Sequence, residues 1–360
     1  MGFWGLLLLP FSFLYGLLTW VRNKLFDIGF LSSKKHAVPV ISIGNLSMGG
    51  TGKTPFTEFL IRTFQENLKI ATLSRGYGRK TRGFVLADER AKASTIGDEP
   101  MQYFKKFKSI SVAVSENRNL GVKKLTEKLP NLDLVLLDDA FQHRFITPGL
   151  NILLTDFYNL YTDDYVFPSG KLREYKSGAN RAGIVIVTKT PVVLSPITRR
   201  RISRELKLKK NQLLLFSKIQ YGELQPFSKS GAKVLKKRYT NIILFSGIAN
   251  NYPLQDHLSQ FCSELIVMSF PDHHTYIQKD IDSILDNYNE LFTKSKIIVT
   301  TEKDAMRIYD CKRAFLFDGI PIYYLPIETV FHNEDGDILT KTVANFLASS
   351  NRRNKEIKVK

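Results

Sequence analysis

The chain is poor in cysteine: Cys262 and Cys311 are its only two, too few for a disulfide framework. No Cys/His group has zinc-ligand spacing, so no structural metal is expected and a reducing cytosolic setting is the simplest reading. Acidic residues are also scarce. Against 52 Lys and Arg stand 34 Asp and Glu, a formal net charge of +18. That imbalance favours a polyanionic partner, whether nucleic acid, an anionic bilayer surface or a phosphorylated substrate, and does not choose among them. Charge of either sign is missing from Met1 to Val21. With no positive lead and no small-residue cleavage site, this stretch is not a secretory signal and is expected to stay on the protein. No repeat is present, and only the charged tail Asn351–Lys360 has a disordered composition.

The uncharged amino terminus reads MGFWGLLLLPFSFLYGLLTWV. It is close to the roughly 20 residues of a bilayer span, but Pro10 and interior glycines weaken a straight spanning helix. Trp4, Tyr15 and Trp20 suit a membrane interface, and Arg22, Lys24, Lys34 and Lys35 follow directly. The segment therefore predicts a membrane-embedded or interfacial anchor with the main body on the cytoplasmic side; the alternative is a core helix.

From Val38 onward β-branched runs alternate with helical patterns. Strands are predicted at Val38–Ile43, Lys69–Ser74, Ile110–Ser115, Leu132–Leu137, Asn151–Thr155 and Gly183–Val187, with helices at Lys53–Glu66 and Asn117–Lys128. Strands apolar on both faces indicate a parallel sheet sandwiched between helices, with ligands at its carboxyl edge. After a basic helix at Thr198–Lys210 the alternation restarts from Asn241 to Thr300, giving a second, smaller α/β unit. Gln212–Tyr221 and Pro321–Pro326 flank it and could pair as a two-stranded connector. The expected division is 1–35 anchor helix, 36–215 P-loop domain, 216–330 smaller domain with linker strands, and 331–360 C-terminal helix and basic tail.

The stretch NLSMGGTGKTP, Asn45–Pro55, follows one of these strands and precedes a helix. In a phosphate-binding loop, glycines let backbone N–H groups converge on phosphate oxygens, the lysine reaches the β- and γ-phosphates, and the Ser/Thr hydroxyl holds magnesium. Gly49, Gly50, Gly52, Lys53 and Thr54 supply these parts, with Ser47 where the first glycine usually stands. Leu134–Leu137 lead to Asp138 and Asp139, the strand-end acids such a site needs for its metal, or else a cap. Phe141-Gln142-His143 follow at the same strand end. SRGYGRK, from Ser74, could grip a phosphate and a sugar ring, or be a solvated basic turn. Asp98 and Glu99 in GDEP suit proton abstraction and metal contact, or helix capping. Asp272, His273 and His274 in FPDHHTY offer a metal-binding cluster or a capping acid with incidental histidines. Thr301 and Asp304 in TTEKD fit a capping box and read as mainly structural.

GNLSMGGTGKTP, SRGYGRK, GDEP, ENR, LLDDAFQHR, PSGKLRE, FPDHHTY and TTEKDA occur in an order and spacing that resemble the tetraacyldisaccharide 4'-kinases of lipid A biosynthesis. The resemblance covers the chain from its apolar start to about Arg307; Ala140 stands where the family often has glycine. It implies a monomeric kinase on the cytoplasmic face of the bacterial inner membrane that moves the γ-phosphate of ATP to the 4'-hydroxyl of a tetraacylated glucosamine disaccharide 1-phosphate. It further implies a P-loop domain and a smaller α/β domain with the site in the cleft. Ser47, Met48, Gly49, Gly50, Thr51, Gly52, Lys53 and Thr54 would hold ATP, and Thr54, Glu99 and Asp138 the Mg²⁺. Asp98 would be the general base paired with His273, with Lys53 and Arg173 at the transferred phosphoryl group. Arg75, Tyr77, Arg118, Asp139, Gln142, His143 and Glu174 would line the sugar and its phosphate.

Two rivals come from other classes. GGTGKT also resembles the deviant P-loop of membrane-associated regulatory ATPases, but Met48 stands at the position of their signature lysine. The basic charge suggests nucleic acid, yet it is spread over loops and tail without a binding module. A third alternative keeps the scaffold and changes the glycolipid.

Overall fold

A computed structural model describes residues 7–227, 236–309 and 317–358, with side chains to position 350. Trp4 and Cys311 lie outside the described residues.

The first helix, α1 (Leu9–Asp27), has Pro10 in its first turn, where a missing N–H leaves no bond unmade. Only Ser12, Gly16 and Phe26 of this helix are buried, while Phe11, Phe13, Leu14 and Leu18 are each more than half exposed. It docks through small and polar contacts. Ser12 Oγ donates to Ser169 Oγ at 2.7 Å, and a Cβ on Gly16 would come within 2.6 Å of the Tyr175 hydroxyl.

The α/β alternation then follows: β1 (Val40–Asn45), α2 (Lys53–Phe64), β2 (Ile70–Ser74), β3 (Val85–Leu86), α3 (Ala93–Ile96), α4 (Asp98–Lys106), β4 (Ser111–Val114), α5 (Arg118–Lys128), β5 (Leu134–Asp138), β6 (Leu150–Asp156), β7 (Ile184–Thr188), α6 (Pro196–Leu206) and β8 (Leu213–Tyr221). Together with β14 (Ile327–Phe331), these strands form a nine-stranded sheet ordered β14-β8-β7-β6-β1-β5-β2-β4-β3, parallel from β8 to β4 with an antiparallel strand at each edge. β1, β2, β5 and β7 are buried on both faces, as runs such as LVLLD and IVIVT require. Since β1 pairs with both β5 and β6, the chain order reverses at its carboxyl end, which opens a crevice there.

The second sheet is smaller. It contains β9 (Gln225–Pro226), β10 (Tyr239–Ser246), β11 (Cys262–Ser269), β12 (Lys296–Thr301) and β13 (Ile322–Leu325) in the order β11-β10-β12-β13-β9. Helices α7 (Tyr252–Ser259), α8 (Gln278–Glu290) and α9 (Glu302–Tyr309) connect its strands. Among the described residues, the buried apolar clusters of the two sheets share no member, and Tyr221 at the end of β8 packs against the small sheet's cluster.

Two expectations need correction. The partner of Leu213–Tyr221 is not Pro321–Pro326 but the next run, β14 (Ile327–Phe331), with Ile327 opposite Tyr221 and Phe331 opposite Ser217. Ile322–Leu325 instead joins the small sheet beside β12. Pro326 lies between the two, its carbonyl accepting from Gly222 N–H at 2.9 Å, so both crossings between the sheets run side by side. The tail also differs, because α10 (Asp335–Lys358) continues as helix through most of the stretch expected to be disordered. Leu339, Val343 and Leu347 on that helix pack into the large sheet's core, which anchors its first turns.

Candidate active site

The loop between β1 and α2 turns on Gly49 (φ +109°) and Gly52 (φ +80°), which caps the helix that Lys53 begins. A side chain at Gly52 would be strained by its left-handed backbone. A Cβ on Gly49 or Gly50 meets nothing within 4 Å, so the loop encloses open space in front of a helix amino terminus. Ser47 has no positive φ, which explains why serine is tolerated where glycine is usual. Its backbone forms a bridge with Leu172, and Met48 N–H donates to Lys171 O at 2.7 Å, so the loop is pinned to PSGKLRE. Thr188 Oγ1, at the end of β7, donates to Thr51 O at 2.8 Å.

The strand ends gather charge. Lys53 Nζ lies 3.3 Å from Asn45 Oδ1 and 3.6 Å from Asp139 Oδ1. Arg173 Nη1 donates to both oxygens of Asp139, at 2.9 and 3.1 Å. Burial raises Asp139, but Lys53 and then Arg173 outweigh it and hold the carboxyl below its usual range. Asp138 goes the other way. Burial, then the charges of Asp139 and Glu99, push it up to about 6, and its Oδ1 has no hydrogen-bond partner although Oδ2 accepts from Tyr103 Oη at 2.9 Å. A buried carboxylate oxygen without a donor is costly unless something absent completes it.

Asp98 and Glu99 open α4. The preceding Gly97 has φ +96°, and a Cβ there would meet Tyr77 O at 3.1 Å, so the turn that aims Asp98 requires glycine. Both acids are met from the small sheet. Lys303 Nζ lies 2.6 Å from Glu99 Oε1, and Arg307 Nε 2.7 Å from Asp98 Oδ2. His273 Nδ1 approaches the same Oδ2 at 3.3 Å, and the His273 ring meets Tyr77 edge-on at 5.2 Å. Burial raises both acids, yet each ends below its ordinary value, Asp98 through His273 and Arg307 and Glu99 through Lys303. Behind them Lys106 Nζ bridges Glu58 Oε2 (2.8 Å) and Glu302 Oε2 (3.0 Å), joined by Gln102 Nε2 at 2.7 and 3.0 Å. The contact between α4 and α9 is thus a row of ion pairs.

The family model for tetraacyldisaccharide-1-P 4'-kinase matches residues 4–345. The chain belongs to that family. Named tetraacyldisaccharide 4'-kinases from Bacteroides thetaiotaomicron and Parabacteroides distasonis are 44% and 45% identical, covering 96% and 90% of this chain and 94% and 90% of their own. The crystal structure of LpxK from Aquifex aeolicus, described as in complex with ATP, superposes with a TM-score of 0.73 at 29% identity, covering 95% of this chain and 99% of that one.

Of the site residues that the kinase family's motifs pointed to, most converge here. Arg118 is buried, and burial pulls it down to about 10 although the charges of Asp139 and Asp138 act to raise it; its Nη1 donates to Ser115 O at 2.9 Å. Arg75 and Tyr77 are exposed at the rim. His143 is lowered to about 4 by burial, then by Arg118 and Arg22, and its Nε2 is buried without a partner. Glu174 and Gln142 are bonded within the protein: Glu174 accepts from Asn23 and Arg181 at 2.7 Å, and Gln142 Nε2 donates to it at 3.1 Å. The two histidines of FPDHHTY part company, since His274 Nε2 faces Asp280 Oδ2 at 2.8 Å, away from Asp98. Thr301 and Asp304 do form the expected cap, at 2.6 and 3.1 Å. Lys303 and Arg307 of the same helix were missed as site residues. Their spacing of four, which puts both cations on one helix face, was the available signal.

Proposed function

We infer that the protein transfers the γ-phosphate of ATP to the 4'-hydroxyl of a tetraacylated glucosamine disaccharide 1-phosphate. What carries this reading is the convergence, at one crevice, of an open glycine loop, an unpartnered buried carboxylate oxygen on Asp138, and a second carboxylate, Asp98, held from the opposite sheet.

A magnesium ion fits the donors present. Asp138 Oδ1 lacks a partner, and the hydroxyl of Thr54 and the carboxylate of Glu99 complete an oxygen set suited to it. No cluster of three or more His, Cys, Asp or Glu able to hold a metal forms among the described residues, so further ligands are left to phosphate and water. Bound there, Mg²⁺ would neutralise charge on the phosphate oxygens. Lys53 and Arg173, now paired with Asp139, are the cations to turn toward the β- and γ-phosphates. Asp98 accepts the sugar hydroxyl proton as the new O–P bond forms, which a weakly acidic alcohol requires. Because His273 and Arg307 come from the small sheet, approach of the two sheets completes the base, and ATP is less readily lost to water.

The acceptor reaches the site from a membrane surface. No described helix is long and apolar enough to cross a membrane. The exposed face of α1 suits a helix lying in the interface, flanked by Arg22, Lys24, Lys34 and Lys35. Its inner face bonds to the site's own loops: Tyr15 Oη donates to Arg173 O at 3.1 Å and Arg22 Nη2 to Gln142 O at 2.9 Å.

The test is direct. Purified protein, Mg²⁺, ATP labelled in the γ position and candidate lipid disaccharide 1-phosphates are incubated together, and the 4' position of the product is examined for label. Absence of label on every acceptor rejects the reading.

A further inference from the structure

Arg307 touches both members of the pair assigned to proton transfer. Its Nε donates to Asp98 Oδ2 at 2.7 Å and its Nη2 lies 3.2 Å from His273 Nδ1. Nη1 holds the guanidinium from behind, donating to Asp304 Oδ1 at 2.7 Å and to Gly247 O at 2.8 Å. Asp304 is fully buried and also receives Gly247 N–H at 3.0 Å, while His273 N–H donates to Gly247 O at 3.2 Å. The side chain is therefore fixed in a rigid socket made by the β10 end, the FPDHHTY turn and α9.

A guanidinium only donates hydrogen bonds. The nitrogen it meets on His273 must present a lone pair, so Nδ1 cannot at the same time donate to Asp98. The two contacts at Nδ1, 3.2 Å to Arg307 and 3.3 Å to Asp98, therefore exclude each other as hydrogen bonds, while the Arg307–Asp98 bond at 2.7 Å holds in either case. Both contacts from the small sheet reach Asp98 at Oδ2, whichever of them His273 makes as a hydrogen bond, and Oδ1 is left to receive the hydroxyl proton.

Resting on the kinase reading above, we propose that Arg307 is a positioning residue. It orients the Asp98 carboxylate and favours the His273 tautomer protonated on Nε2, so that the shortest tie across the cleft is Asp98 to Arg307, with His273 beside it. His273 is thereby left with Nε2–H as its donor.

The test has two arms. In protein labelled with ¹⁵N-histidine, the ring shifts of His273, assigned with His273→Gln, report which nitrogen carries the proton. The parent should show the Nε2–H form, and Arg307→Gln, which keeps donors but removes the fork, should shift it toward a mixture. This arm needs no turnover, so it stands apart from any failure of the kinase assay. In the second arm, Arg307→Gln should lower kcat at least about tenfold, a share of the effect typical of acid–base groups, with KM for ATP within about threefold. Arg307→Lys, which restores one charged donor, should recover part of kcat, and melting curves identify a variant that fails to fold. A parent protein with Nδ1–H, or an Arg307→Gln variant with unchanged kcat, overturns the proposal.

Discussion

Replacing Lys106 by methionine should destabilise the protein in a way that depends on pH. The ammonium bridges Glu58, which is fully buried, and Glu302, which is nearly so. Methionine keeps the length and removes the charge. Two carboxylates then share only the Gln102 amide and Arg62, which sits 3.4 Å from Glu58. Stripping one partner from a buried ion pair costs about 3–5 kcal/mol. Because Arg62 remains and 23% of the Lys106 side chain is exposed, the lower end, about 3 kcal/mol, is expected near neutrality. Glu302 is already raised to about 7 by burial, then by the charge of Glu58. Its folded value lies above the ordinary 4.5, so the folded protein keeps a proton that the unfolded chain has released. Stability of the parent therefore falls as pH rises from about 4.5 to about 7. Without Lys106 the carboxyl loses the cation that lowers it and stays neutral to higher pH, so the penalty should shrink to about 1–2 kcal/mol near pH 5.5. Urea unfolding followed by far-ultraviolet circular dichroism measures both. Equal penalties at about pH 5.5 and pH 8, or a loss below about 1 kcal/mol at the higher pH, would refute the reasoning.

Asp98→Ala should lower turnover by roughly 10²–10⁴ while calorimetry shows ATP binding retained, whereas Lys53→Ala should weaken both. Gly97→Ala should cost about 1–3 kcal/mol in thermal melting, because alanine is strained at φ +96° and crowds Tyr77 O; a neutral result would mean the turn relaxes freely. Phe13→Asp with Leu18→Asp should abolish flotation with anionic vesicles and leave the melting temperature unchanged, since both side chains are exposed; persistent flotation would remove α1 as the membrane contact.

What could be read from the sequence follows the distance over which each feature is determined. The glycine loop, its helix and the strand-end acids are local: strand, turn and helix follow one another within about twenty residues, and the apolar runs fix the buried strands. The connector was harder, because IYYL and IETVF are adjacent, both extended and both able to pair. Which of them meets Leu213–Tyr221 depends on how Pro326 lets the chain pass between sheets. Lys303 and Arg307 looked like ordinary surface cations after a cap. Their partners Glu99 and Asp98 lie about 200 positions earlier, and nothing local announces such a pairing. Glu174 shows the converse: its motif pointed toward the sugar, whereas the fold ties it to α1 through Asn23.

The seam between α4 and α9 has a thermal consequence. Asp98–Arg307, Glu99–Lys303 and Lys106–Glu302 hold α4 to α9, and among the described residues the buried apolar clusters on the two sides share no member there. Parting it wets polar surface, and polar exposure lowers heat capacity, by about 0.26 cal/K/mol per Å², instead of raising it. The enthalpy of opening then varies little with temperature, unlike that of unfolding. Opening of the cleft then follows a nearly constant enthalpy across temperature, and because the pairs are partly buried, added salt quickens substrate exchange only modestly.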